Sequence, residues 1–596
     1  MSDDFDLEDR EQIDHAGSQS SDTGSPEAAL RPRQLRDIIH DLIELGPRLC
    51  RFIDTPQFQR LRDIKQLGTS NYVWPSASHS RFEHCIGVAH LAGTLARNIQ
   101  RAQPKLKISD RDVECVELAG LCHDLGHGPW SHMWDRMFIP DVLPEEDWTH
   151  EQGSEMMLDF LVKDNNIEIA EKDLAFIKAL ILGKPEECSP DEKPFLFDIV
   201  ANGRNGLDVD KYDYILRDSH MFGDPVGINV ARLLASARVI GREITYDIKD
   251  LNTIKEIFRT RYKLHEHYYN HKTGKIIEYM ILDALKIADP HLNIAKRIRD
   301  PQQYLRLTDF IMHEIKCSSH SELDGARRLF SRIEKRDLYK MVDWKLIPYE
   351  TSTVFKRHVT SLGIYQAIQD EPLVSLKVDE EELEAGDIIV EFTTLHHGMK
   401  ERNPLDSVKF YSKYSPDVCY QAQPGDYSTI MPKSFAEVMM RVYTKKPQFF
   451  GVIQAGYRTI LHKIPDDIDI DHNYGTSSIG ETTIATPPAT EAPSSPRTDS
   501  VETLPGSSTG TRSIKPLSKK GSELNRFMTV NPSYAPSSPS KTPNVSRKRK
   551  ASLDREMSPV EAIQGRRGKV SEENVRPLVF GLKKRKVDDD GGEERE

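Results

Sequence analysis

The sequence contains no Cys-x-x-Cys pair. Its seven cysteines, Cys50, Cys85, Cys115, Cys122, Cys188, Cys317 and Cys419, are scattered singly. A thiolate zinc site therefore has no support, and an odd number at irregular spacing suits buried free thiols in a reducing compartment. Long apolar runs are also missing: nothing approaches the roughly eighteen residues of a membrane span. The acidic start, Met1-Ser2-Asp3-Asp4-Phe5-Asp6, is not that of a secretory signal. Positive charge is not in excess either. A net charge of −12 argues against a general nucleic-acid coat and leaves room for local basic patches. Internal repeats are absent. Aromatics nearly vanish after about 466, where only Tyr474, Phe527, Tyr534 and Phe580 stand among abundant Ser, Thr and Pro. Such a segment cannot bury enough apolar surface to offset its chain entropy, so 466–596 reads as disordered. The polar, aperiodic residues 1–30 read the same way.

What remains, about 31–465, is the folded part. Its first three-quarters carry helical signals. Ser80-x-x-Glu83 is a capping box followed by Val88, Leu91 and Leu95 at helical spacing. Ser109-x-x-Asp112 marks a second start, with Val113, Val116 and Ala119 on one face; that helix should stop near Gly126, ahead of Gly128 and Pro129. Asp208 to His220 is a third helical stretch. The last quarter has strand-like runs, Asp387–Phe392 and Val408–Tyr411. The fold class expected is mainly α: a helical core over 31–325 and a smaller α+β lobe over 326–465.

Chemistry concentrates in Leu121-Cys122-His123-Asp124-Leu125-Gly126-His127-Gly128-Pro129-Trp130-Ser131-His132. A His-Asp dipeptide alone is as well explained by a helix C-terminus with exposed polar residues. Here it ends an apolar helix, and two more histidines follow on a Gly/Pro turn. Neutral imidazole and carboxylate suit Fe, Mn, Zn or Mg in an open catalytic site. His84 lies upstream in the first turn of the helix capped by Ser80, with Arg81 three residues before it. A helix N-terminus bearing an Arg is a good place for a phosphate. Downstream, Asp210, Tyr214 and Asp218 recur every four residues with Lys211 beside them. Taken alone, that stripe is an ordinary amphipathic helix.

The spaced set His84, His123-Asp124 and Asp210 resembles the signature of the HD superfamily of metal-dependent phosphohydrolases. Longer strings narrow the resemblance: Asp54-Thr55-Pro56-Gln57-Phe58-Gln59-Arg60-Leu61-Arg62, Arg81-Phe82-Glu83-His84, His123 to His132, Trp148-Thr149-His150-Glu151-Gln152-Gly153-Ser154 and Arg204-Asn205-Gly206-Leu207-Asp208-Val209-Asp210-Lys211. Together they are similar to the SAM-and-HD-domain-containing deoxynucleoside triphosphate triphosphohydrolase family, from about 40 to about 446. Some thirty residues precede the core, too few for the sterile-alpha-motif domain.

The resemblance implies hydrolysis of deoxynucleoside triphosphates to deoxynucleoside and inorganic triphosphate, and with it control of deoxynucleotide pools. His84, His123, Asp124 and Asp210 would hold Fe or Zn, with Mg alongside the phosphates. His132 would protonate the leaving 5′-oxygen and Asp135 would orient it. His127 and His150 would meet the phosphates or the attacking water. Arg81, Lys211 and Arg261 would neutralise the triphosphate. Gln66, Leu67 and Asp218 would surround the 3′-hydroxyl, and Tyr214 would exclude a 2′-hydroxyl. His265, Tyr269 and Asn270 would face the base, with Asn270 standing where the family carries Gln.

Regulation is implied as well: a homotetramer assembled by GTP or a deoxynucleotide as activator. Asp54, Gln59 and Arg62 match the guanine-reading residues, and Arg232 and Lys249 fall at second-site phosphate contacts. Departures at Arg33–Asp41 and Val418–Gly425 predict a weaker or altered nucleotide requirement. In the tail, Arg547-Lys548-Arg549-Lys550 and Lys583-Lys584-Arg585-Lys586 read as nuclear import signals, and Ser495-Pro496 and Ser538-Pro539 have the form of proline-directed kinase sites. Two other readings stay open. One is an HD phosphodiesterase or nuclease. The other is a scaffold with weak single-stranded nucleic-acid binding and no membrane contact.

Overall fold

The computed structural model describes residues 32–370, 377–378, 381–428 and 430–464. The segments 1–30 and 466–596, with the basic runs and Ser-Pro sites of the tail, lie outside the described residues.

Helices dominate, and both capping boxes form. Glu83 accepts the Ser80 N–H at 3.0 Å to start Arg81–Ala102, and Asp112 accepts the Ser109 N–H at 2.8 Å to start Asp110–Cys122. These two helices pack on each other, and Gly120 lets them close: a Cβ there would lie 3.3 Å from the Ala89 backbone. The third helix runs Val209–Met221 with Asp208 as its cap, accepting the Lys211 N–H at 3.0 Å. It crosses Arg81–Ala102 beside Gly87, where a Cβ would fall 2.0 Å from the Asp213 carboxylate. Leu251–Lys263, Lys272–Leu292 and Asp324–Glu334 complete a large apolar core that runs from Ile43 to Tyr339 and takes in Leu405, Val408, Phe410, Ala422 and Tyr443.

A second apolar cluster lies later in the chain. Strands Lys340–Pro348, Ala436–Thr444 and Ile388–His396 form an antiparallel sheet with Ala436–Thr444 in the middle. Helices Ser361–Gln369 and Phe450–Lys463 contribute Ile364, Ile368, Ile453 and Tyr457 to its core.

The structure corrects the sequence reading in three places and adds that its two strand-like runs lie in different sheets. The helix expected to stop near Gly126 ends four residues earlier, at Cys122, with His123 as its cap. The hydroxyl of Ser154 bonds the His123 carbonyl at 2.6 Å and receives the Gly126 N–H at 2.9 Å, so a side chain replaces the helical ladder there. Two strand pairs interrupt the helical portion: Arg33–Asp37 with Asp41–Leu45, and Arg238–Ile240 with Glu243–Asp247. Both are too short to show a period-two pattern. The two strand-like runs of the last quarter do not share a sheet. Lys409–Ser412 instead pairs in parallel with Glu243–Asp247, through Tyr246 opposite Phe410. All seven cysteines are free, but Cys317 is exposed and only Cys50, Cys85, Cys115 and Cys122 are buried. Among the described residues no helix is long and apolar enough to cross a membrane.

Candidate active site

Three helix ends deliver the first cluster. His84 comes from the first turn of Arg81–Ala102, His123 and Asp124 from the end of Asp110–Cys122, and Asp210 from the first turn of Val209–Met221. The donor atoms of His84, His123 and Asp124 lie within 4.8 Å of one another. Asp210 Oδ1 stands 3.1 Å from His84 Nε2 and 3.6 Å from His123 Nε2.

The tautomers are set from behind. His123 Nδ1 donates to the Gly120 carbonyl at 2.8 Å, and His84 Nδ1 donates to Asp213 Oδ2 at 2.7 Å. Both Nε2 atoms therefore face the carboxylates, the arrangement that metal-ligating histidines adopt. His123 Nε2 is buried and makes no hydrogen bond, with Asp124 Oδ1 3.4 Å away. This donor set fits a divalent cation: imidazole nitrogens and carboxylate oxygens converge, and one nitrogen is orphaned. The carboxylates demand positive charge at this point. Burial opposes a proton on His84, but Asp210 and Asp213 outweigh it and hold the pKa at about 10. Burial likewise favours a neutral Asp124, yet Arg81, His123 and His127 hold it well below the usual range.

A second cluster adjoins the first through His127, whose Nε2 lies 3.2 Å from Asp124 Oδ1. It comprises His127, His132, Asp135 and His150, also with donor atoms within 4.8 Å. His127 stacks on His150 with centroids 4.0 Å apart, and His132 stands edge-on to both at 5.0 and 5.3 Å. Asp135 is shared, 2.7 Å from His150 Nδ1 and 3.5 Å from His132 Nδ1. It projects from a π-helical turn, Trp134–Phe138, one of the irregularities that often mark functional sites. Gly126 permits the approach: a Cβ there would strike the His150 carbonyl at 2.1 Å. One carboxylate for three imidazoles reverses the electrostatics. Crowding by protein atoms, against the pull of Asp135, pushes His132 down to about 4, and Arg136 and Arg81 add to the effect. Its side chain is nonetheless 46% exposed, as suits a ring at the wall of an open site.

The residues expected around a nucleotide fall into place unequally. Arg81 bonds Asp124, and its Nε donates to Ser131 Oγ at 3.0 Å. Lys211 Nζ donates to Asp208 at 2.9 Å, and Arg261 to the His396 carbonyl at 2.7 Å. Asp218 is held by His79 at 2.9 Å and by the Tyr269 hydroxyl at 2.6 Å. Gln66 Oε1 is buried with no hydrogen-bond partner, and Leu67 packs against the large core. Tyr214, half-buried, lies one turn along from Asp210. His265 and Tyr269 occupy a second π-helical turn, Leu264–Tyr269, with rings edge-on at 5.0 Å. Asn270 turns inward instead, donating to the His265 carbonyl at 2.8 Å.

Farther out, Arg33 pairs with Asp54 at 2.7 Å, Arg62 with Gln59 at 2.8 Å and Arg232 with Asp250 at 2.6 Å; the Lys249 N–H donates to Asp247 at 3.0 Å.

Sequence reasoning missed Asp213. One oxygen holds His84 and the other accepts from His40 at 2.6 Å, while Arg217 grips both oxygens at 2.8 and 2.9 Å. The i,i+4 spacing of Asp213 and Arg217 was a visible signal. His40, Ser154 and His79 gave none, since each acts across more than 30 residues of chain or through a backbone group.

With the geometry in hand, comparison with known proteins is informative. The HD domain family model matches residues 81–201, and the HD associated region matches 228–375. The deoxynucleoside triphosphate triphosphohydrolase SAMHD1 of Bos taurus is 42% identical over 448 residues, covering 69% of this chain and 75% of that protein. This chain belongs to the SAMHD1 family. The Homo sapiens SAMHD1 is 42% identical over 444 residues, covering 69% of this chain and 70% of its own, and the Dictyostelium discoideum homolog is 37% identical over 428 residues, covering 72% and 80%. The HD domain match spans His84, His123, Asp124, His127, His132, Asp135 and His150.

Proposed function

We propose that this chain hydrolyses deoxynucleoside triphosphates to deoxynucleoside and inorganic triphosphate, and so limits deoxynucleotide pools. The observation that carries the reading is the adjacency of two unlike clusters, one rich in carboxylate and one rich in neutral imidazole, within a SAMHD1-family chain. His84, His123, Asp124 and Asp210 would hold Fe or Zn, and Mg would accompany the phosphates. A divalent ion bound there supplies Lewis acidity to the α-phosphoryl group.

The protein's own groups do the rest. His132 delivers a proton to the leaving 5′-oxygen. Negative charge brought beside it by the triphosphate raises its affinity for that proton. Asp135, kept ionised by His132 and His150, orients the ring and stabilises the imidazolium. His127 and His150 face the phosphates and the attacking water. Arg81, Lys211 and Arg261 neutralise the triphosphate. Gln66, with its orphaned carbonyl, receives the 3′-hydroxyl together with Leu67 and Asp218. Tyr214 lies under the sugar where a 2′-hydroxyl would stand, and His265 and Tyr269 meet the base, which Asn270 reaches only by leaving the His265 carbonyl. Incubation with each deoxynucleoside triphosphate, with and without GTP, followed by chromatography, tests the reading. Intact triphosphate plus deoxynucleoside is expected; monophosphate plus pyrophosphate would point to another phosphoesterase.

Assembly and location complete the proposal. A homotetramer forms with GTP or a deoxynucleotide bound through Asp54, Gln59, Arg62, Arg232 and Lys249. The nucleotide requirement is weaker or altered, because the chain departs from the family at Arg33–Asp41 and Val418–Gly425, and Arg33 pairs with Asp54. A monomer fully active without nucleotide, by sedimentation and initial rates, would overturn this. The basic runs at 547–550 and 583–586 carry the chain to the nucleus, and a tagged chain lacking 540–596 that stays nuclear would contradict it.

A further inference from the structure

Two consecutive residues beside the site adopt the left-handed backbone that L side chains avoid. Trp130 has φ 54° and Ser131 φ 58°. Neither is glycine, so surrounding structure must hold them there. They lead directly into His132. The Ser131 N–H bonds the Gly128 carbonyl at 3.0 Å, and the Trp134 N–H bonds the Ser131 carbonyl at 2.9 Å, so this turn sets the entry to the stretch that carries both His132 and Asp135.

What holds the turn comes from far along the chain. Asp309 Oδ1 accepts the Trp130 N–H at 2.7 Å, and Asp309 Oδ2 accepts the Lys65 N–H at 3.1 Å. Lys65 immediately precedes Gln66 and Leu67. A second link runs parallel to the first, with Ser131 Oγ donating to the Lys65 carbonyl at 2.7 Å. The two segments are pressed together as well. Gly68, itself at φ +51°, lies so close that a Cβ would be 3.0 Å from the Trp130 carbonyl oxygen. Asp309 is anchored in turn by its own N–H, which bonds the Asp63 carbonyl at 3.2 Å. Both oxygens of one carboxylate are thus spent on two main-chain N–H groups from different segments. Burial pushes that carboxyl up to about 6 against the pull of the two N–H donors and of Lys65 and Arg60. The protein bears this cost at a residue that touches none of the two clusters' side chains through any described hydrogen bond.

We propose that Asp309 is a positioning residue for hydrolysis: its carboxylate clips the Lys65–Leu67 segment to the Trp130–Ser131 turn and so fixes His132 against the sugar side of the site. The proposal rests on the reading of His132 as proton donor. Asn in place of Asp309 keeps one acceptor and loses the other, so only one segment stays tied. Glu keeps both acceptors but displaces them by a methylene.

The test uses the full chain carrying Asp309→Asn, Asp309→Glu, Gly68→Ala, His132→Ala or the double change Asp309→Asn with His132→Ala. Metal content, kcat and KM for a deoxynucleoside triphosphate are measured for each. Asp309→Asn is expected to lower kcat by about tenfold or more, with KM within about twofold and metal content unchanged. Gly68→Ala, pressing on the same joint from its other side, should show the same split. Compared by kcat, the double variant should be no slower than His132→Ala alone, because the clip acts on turnover through that ring; loosening of Gln66 and Leu67 should show only in the small KM change. Asp309→Asn with wild-type kcat beside a slow His132→Ala would overturn the clip alone. A double variant whose two losses multiply would do the same, as would failure of both Asp309 variants to fold, which would make the residue purely structural. Wild-type turnover in His132→Ala would overturn the proton-donor reading itself, and the clip with it.

Discussion

His84 and His132 lie in neighbouring clusters on one chain, and their imidazoles are driven in opposite directions, to about 10 and to about 4. Burial does not account for the opposite directions, because His84 is the more deeply buried of the two and yet is the one raised. The neighbours do. His84 contacts Asp210 and Asp213 directly with Asp124 behind, whereas His132 has Asp135 alone, at 3.5 Å, and two arginines nearby. Carboxylate count decides whether a buried imidazole site attracts a cation or repels a proton. One cluster is built to hold positive charge permanently, the other to take up a proton only when an anion arrives.

The sharpest way to break this contrast is to remove a carboxylate from the first cluster. Asp124→Ala should abolish both bound metal and hydrolysis, read by elemental analysis and initial rates on one preparation. Turnover near wild type would remove the basis for assigning the clusters different tasks. His132→Ala should leave metal content intact and cut turnover about a hundredfold or more. Metal loss in that variant would mean that the second cluster also ligates. Asp213→Asn sharpens the contrast from behind. It weakens the hold on His84 Nδ1 and should lower metal affinity by about 10–100-fold, measured by competition with a chelator; unchanged affinity would show that His84 needs no support.

The smallest effect concerns stability and pH. Burial pushes His132 and His396 to about 4 and His265 well below its ordinary value, while the unfolded chain takes up those protons near 6.5. Their contribution is therefore full above pH 6.5 and lost as pH falls toward 4. Asp309, raised to about 6, acts in the opposite sense across part of that window, as do Glu117, Glu155, Asp198 and Asp208, which burial raises. His90, His127, His271 and His397, which burial lowers, act with the three rings. Denaturant melts with chelator present should show stability falling from pH 6.5 to 4, and a flat or rising profile would contradict the burial of these rings.

Much of the site was readable beforehand, because helix ends carry their own signals. The capping box at Ser80 located the helix start that carries His84, the helical stretch from Asp208 located Asp210, and the Gly/Pro turn after Asp124 put His123 and Asp124 near a helix end. The fold was legible to the same depth: long periodic helices were, the strand pairs at 33–45 and 238–247 were not. Groups that act through the backbone left no trace in sequence. Ser154 ends a helix 31 residues away by bonding the His123 carbonyl, and Asp309 reaches Trp130 across 179 residues. Tertiary contacts of that kind have no period and no motif. Partners of the expected phosphate cations were equally hidden. Nothing in the spacing says that Arg81 bonds Asp124 or that Arg33 covers Asp54.

Hydrolysis in water enriched in oxygen-18 tests the central claim most directly. If the first cluster presents the α-phosphorus to water and His132 protonates the departing 5′-oxygen, the Pα–O5′ bond breaks on the phosphorus side. Mass spectrometry should then find the label in inorganic triphosphate and none in the deoxynucleoside. Label in the deoxynucleoside hydroxyl, or in monophosphate or pyrophosphate, would contradict the division of labour between the two clusters.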